Sequence, residues 1–197
     1  MVVSGDTRFD RVAAILEKDN DLDYISQFKN NTLTIVVGSS WPKDEALLLD
    51  FINSNTLNVK FIIAPHNIKA DQIEQLKNSI TKKTVLFSEM QEKNLEDFDV
   101  FIIDTIGILT KIYSYAAKQF KKALQDRQLT QIEDYQGKRF VEGKEYGLEY
   151  PIVSYTDFGF KDLIVDDSFR SEKGHICSTF VQMNKGATNL IMKNIAK

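Results

Sequence analysis

Four apolar runs in this chain each end in small or polar residues of a kind that can meet a ligand. Gly38, Ser39 and Ser40 close the first and lead into Trp41. Pro65 and His66 close the second, Ser88 and Glu89 the third, and Asp104 and Thr105 the fourth, which runs on into Ile106 and Gly107. Serine hydroxyls beside backbone amides at the start of a helix suit a phosphate or a sugar carboxylate. In open α/β sheets, ligands sit beyond the carboxyl ends of the strands. The same residue types also cap helices and shape turns, so each has a purely structural alternative. For Trp41, the only tryptophan, packing in the core stands beside ligand contact. For His66 the alternative is a hydrogen bond at a helix entry.

Other chemistry is hard to find. The chain has no Walker loop, GxGxxG, GxSxG or HExxH. Its two histidines, His66 and His175, lack cysteine or carboxylate company at metal-ligand spacing. Cys177, the single cysteine, lies beside Ile176 and near Phe180 with no activating base in view, and is expected to be a buried structural thiol. No metal, no cofactor and no catalytic residue is therefore assigned.

The elements that would position these residues alternate regularly. The runs are "LTIVVGSS" (33–40), "VKFIIAPH" (59–66), "KTVLFSE" (83–89) and "DVFIIDT" (99–105). They are β-branched and apolar on both faces, as in parallel strands covered by helices. Between them lie amphipathic segments, "KDEALLLDFINSN" and "KADQIEQLKNSI", and after them "IGILTKIYSYAAKQFKKAL". This alternation predicts an α/β fold, a Rossmann-like doubly wound parallel sheet with strands near 33–38, 59–64, 83–87 and 99–104. It also brings Ser40, His66 and Gly107 to one rim.

With 197 residues, 43% hydrophobic and 27% charged, the chain is ordinary for a globular domain. A net charge of -3, with both signs intermixed, gives no polybasic signature and does not favour nucleic acid. A lone cysteine and the lack of a long apolar run lead us to expect a soluble, intracellular chain. Downstream of Ala116 the pattern changes to a charged helix and irregular sequence. A further strand is expected at "YPIVSY" (150–155), and two helices at the end, broken near "NKGAT" by Asn184 and Gly186.

"GDTRFDRV" (5–12), "GSSWPKDE" (38–45), "IIAPHNI" (62–68) and "VFIIDTIGILTKIYSYA" (100–116) occur in this order, and "FRSEKGHICSTFVQMNKGATNLIM" (169–192) closes the chain. Together they resemble the C-terminal domain of 3-deoxy-D-manno-octulosonic acid (Kdo) transferases, GT-B glycosyltransferases of lipopolysaccharide assembly, in their Bacteroidetes-type form. The resemblance covers residues 4–116 and 166–195. It implies a single donor-nucleotide-binding domain over 1–197 that binds CMP-Kdo or CMP. By the same resemblance the parent enzyme transfers Kdo to lipid A precursor, with inversion, at the cytoplasmic face of the bacterial inner membrane. "GDTRFD" leads into the donor domain in that family, so the chain is expected to begin at the domain junction. The acceptor platform and catalytic base would then lie in an N-terminal domain, and the chain alone would not transfer Kdo. A surface left by that domain could favour self-association.

Carried over residue by residue, the donor contacts implied are Ser39, Ser40, Trp41 and His66, with Thr105, Ile106 and Gly107 in the "DTIG" turn that holds the nucleotide base. Gly107 would allow close approach and Ile106 an apolar wall. Asp6 and Arg8 would touch the donor or the other domain; an exposed salt bridge is the alternative. Two departures stand out. His66 follows "AP" where family members carry an arginine before the histidine. Residues 117–150 lack the glycine-rich strand end, the His-Asn pair and the Glu-Pro-Ala helix start that supply phosphate and ribose contacts. A non-catalytic α/β interaction module that has lost its donor loop is the competing reading.

Overall fold

A computed structural model describes residues 4–16, 21–116 and 162–195. The chain divides into two compact units, residues 21–113 and, from both ends of the sequence, 1–20 with 114–197.

The first unit is built on a four-stranded, wholly parallel sheet: β1 (Leu33–Ser40), β2 (Val59–Pro65), β3 (Thr84–Leu86) and β4 (Val100–Ile102), in the order β1-β2-β4-β3. All four expected strands form, and all run parallel. β3 and β4 are shorter than expected because the chain turns into a 3-10 helix at Phe87–Glu89 and leaves the ladder after Ile102. The runs read as apolar on both faces because β2 and β4 are central. Phe61, Ile62, Ile63, Phe101, Ile102 and Ile103 are each no more than 2% exposed, and every such side chain withdrawn from water contributes about 1.5–3 kcal/mol.

Neighbouring residues of β2 reveal the layers. Lys60 sends its Nζ to the carbonyl of Phe28 in α2 (Asp23–Lys29), while Phe61 meets Phe51 of α3 (Pro42–Ser54) edge-on at 6.0 Å. Consecutive strand residues point to opposite faces, so α2 and α3 cover opposite sides of the sheet. α4 (Ala70–Ser79) lies beside α3, since Asn53 donates to the Ser79 carbonyl and accepts from the Thr81 amide. Phe87, in the turn after β3, stacks with Phe101 on the α2 side, and Phe101 packs on Phe28. Forward crossovers thus run over one face and the return from β3 to β4 over the other, the arrangement right-handed connections require. The sheet is Rossmann-like and doubly wound.

The second unit holds α1 (Thr7–Leu16), α6 (Asp167–Asn184) and α7 (Ala187–Ile195); α5 is the helical stretch 109–116, in which the division between the units falls. Phe9 of α1 meets Phe180 of α6 edge-on at 5.4 Å. The expected break between the last two helices is present, with Gly186 at a φ of +114° between α6 and α7. The expected strand at 150–155 and the atypical stretch 117–150 lie outside the described residues. One expectation fails. Cys177 is exposed, because the stripe Phe169, Lys173, Ile176 and Phe180 forms one face of α6 and Cys177 sits about 100° round the helix from Ile176.

Candidate ligand-binding rim

Because all four strands are parallel, their carboxyl ends share one rim, and the residues after β1 and β2 become neighbours there. The ladder pairs Gly38 with Ala64 and Ser40 with Pro65, leaving Ser39 as a bulge. Ser39 is exposed, with a φ of +55°, a region that serine seldom occupies. The bulge turns Ser40 inward, where it is 4% exposed and its Oγ donates to Glu45 Oε1 at 2.8 Å. Burial pushes the Glu45 carboxyl above its ordinary range, and the Ser40 hydrogen bond partly offsets this.

The His66 amide donates to the Ser40 carbonyl at 2.8 Å, which ties the end of β2 to the end of β1. The imidazole stacks on the Trp41 indole with centroids 4.2 Å apart and planes 25° from parallel. Trp41 keeps 51% of its surface exposed. Its backbone is fixed as well, for its N–H donates to Asp44 Oδ2 at 2.9 Å. The indole is therefore pinned at the rim rather than buried in the core.

The start of α3 has little to offer an anion. Pro42 has no N–H, and the amides of Asp44 and Glu45 both donate to the Trp41 carbonyl. Asp44 and Glu45 also add negative charge to the first turn.

Beyond β3 and β4, the carboxylate of Asp104 accepts from the amide of Ser88 at 3.0 Å and from its hydroxyl at 2.5 Å. Thr105 is half-buried, Ile106 is 83% exposed, and Gly107 has a φ of +93° with open space where a Cβ would stand. Tyr113 of α5 lays its phenol against Gly38, just before the bulge. Neither Tyr113 nor Glu45 was marked out by its sequence. Both act through partners set by the fold, and the alternating pattern carries no trace of them.

Asp6 and Arg8 belong to the second unit. Asp6 accepts from the Arg8 amide and side chain, both at 2.8 Å, at the start of α1, and this pairing holds its carboxyl below the usual range. Four residues on, Asp10 accepts from the amides of Gly186 and Thr188, the latter at 2.7 Å, and so caps α7. The conspicuous "GDTRFD" thus begins one helix and caps the start of another.

No family model matches the chain, and no curated protein matches it. Among solved structures it is similar to the C-terminal CMP-Kdo binding domain of WaaA from Acinetobacter baumannii, at 15% identity and a TM-score of 0.36. The match covers 56% of this chain and 53% of that one, about half of each. No helix among the described residues is long and apolar enough to cross a membrane.

Proposed function

We propose that the unit formed by residues 21–113 binds a nucleotide-sugar donor, and that the chain is the donor-binding part of a Kdo transferase whose ligand is CMP-Kdo. The observation that carries this reading is the joining of β1 and β2 at the carboxyl rim. Ser39, Ser40, Trp41 and His66 are neighbours there, in a doubly wound sheet whose ligands bind at that edge. The order of "GDTRFDRV", "GSSWPKDE", "IIAPHNI" and "DTIG" supplies the choice of donor. In the parent enzyme an acceptor hydroxyl of the lipid A precursor would attack the anomeric carbon of Kdo as CMP departs.

A second reading has its own support. Ser40 spends its hydroxyl on Glu45, and the acids and inward-bonded amides of the first turn of α3 disfavour a phosphate. That favours an interaction module that keeps the sheet without the donor. Calorimetric titration with CMP separates the two. Saturable binding supports the donor-binding reading, and no heat at millimolar CMP supports the module.

A further inference from the structure

We infer that the Trp41 indole is a stacking platform for the heteroaromatic ring of the ligand, with His66 as its backing. The inference rests on the donor-binding reading and adds a stacking surface to the base contacts that the resemblance gives to the "DTIG" turn. Trp41 combines three properties. Half of its area is open, one face is covered by a parallel ring at 4.2 Å, and its main chain is held by Asp44. The indole is thus braced on one side and stands at the ligand-binding edge of the sheet. The main chain of His66 is held beside it, because the His66 amide donates to the Ser40 carbonyl.

The charged groups around the pair explain why a ring suits this place better than a bare phosphate. Asp44 accepts from the Trp41 amide and Glu45 from the Ser40 hydroxyl, so both carboxylates border the stack from α3. A neutral planar base gains contact with the indole without meeting that charge. Base-on-aromatic stacking tolerates different bases. The platform therefore supplies affinity for a nucleoside, and selection among bases falls to other contacts.

Trp41 is the only tryptophan beside seven tyrosines, so fluorescence excited at the long-wavelength edge, beyond tyrosine absorption, reports on this ring alone. We would titrate the full chain with CMP, UMP, AMP and ribose 5-phosphate, following fluorescence and heat in parallel, and repeat the calorimetry alone with Trp41→Ala and Trp41→Phe. Circular dichroism would check the fold of each variant. The expected result is saturable quenching by one or more of the three nucleotides and none by ribose 5-phosphate. Trp41→Ala should lose about tenfold or more in calorimetric affinity, and Trp41→Phe should recover most of it. Binding of CMP as heat, with unchanged fluorescence and full affinity in Trp41→Ala, would overturn the platform and leave the donor-binding reading standing. Quenching by UMP or AMP but not CMP would support the platform and overturn the choice of donor. No binding of any nucleotide would overturn both.

Discussion

Tyr113 covers Gly38 so closely that a Cβ on that glycine would stand 1.6 Å from the Tyr113 hydroxyl. The glycine is therefore required by its neighbour and not by its own backbone, which has no positive φ. Gly38→Ala should push the phenol aside. Because Tyr113 is 46% exposed and its ring tip can swing out, the expected cost is about 1 kcal/mol, at the low end for overpacking. In a Tyr113→Ala background the same substitution should cost almost nothing. A double-mutant cycle by urea denaturation measures the coupling, and additive effects would show that the contact does not govern this position.

Lys60 is the buried cation of the sheet. It is 9% exposed, and its Nζ donates at 2.7 Å to the carbonyls of Phe28 and Glu96. Burial lowers its pKa, with the acids Asp99, Glu96 and Asp97 opposing that shift. Lys60→Ala strips two carbonyls of their donor and should cost about 2–3 kcal/mol. Lys60→Met keeps an apolar stem in this buried position and removes a charge that is costly to bury, together with the ammonium that stands 5.0 Å over the Phe28 ring, so it should cost less than Lys60→Ala. Equal losses in thermal melts would mean that the packing of the stem contributes nothing.

Asp10 links pH to the second unit. The amides of Thr188 and then Gly186 hold its carboxyl below the usual range. A depressed folded-state pKa stabilises above the unfolded value of about 3.9, and that stabilisation is lost as pH falls through the folded value. On acidification the amides of Gly186 and Thr188 should therefore lose exchange protection, beyond the intrinsic pH effect, before the sheet amides of β2 do. Asp10→Ala should expose the same two amides already at neutral pH. Protection at Thr188 that is unaltered in Asp10→Ala would show that α7 is capped by something else.

Gly107 tests the turn after β4. Its φ of +93° strains a β-branched residue, although a Cβ would meet nothing within 4 Å. Gly107→Val should cost about 1–3 kcal/mol through the backbone alone or reshape the turn. On the proposed function it should weaken CMP binding several-fold, with Gly107→Ala in between. Full affinity in a folded Gly107→Val variant would remove this turn from the site.

The sheet was legible because the runs at 33–40, 59–66, 83–89 and 99–105 are apolar on both faces and separated by amphipathic helices. Parallel pairing then made Ser40 and His66 rim residues. What could not be read were the partners. Trp41 and His66 are 25 positions apart in sequence and meet only through the register of β1 on β2. Asp10 and Thr188 are separated by 178 positions, beyond the reach of any local pattern. Cys177 was expected to be buried because its neighbours Ile176 and Phe180 are apolar. Spacing along α6 leaves it beside their stripe instead.

The strand order has a consequence for a nascent chain. β3 touches the sheet only through β4, which is made after it. While the ribosome has delivered residues only as far as β3, that strand has no ladder to join, and β1 and β2 must wait as a two-stranded pair. Emergence of Val100–Ile102 then fills the gap and docks β3 in the same event. Completion of this sheet is set by the penultimate position in space and not by the last strand at its edge, so a chain stalled before β4 emerges would leave the hydrogen-bonding edge of β2 unpaired and open to association.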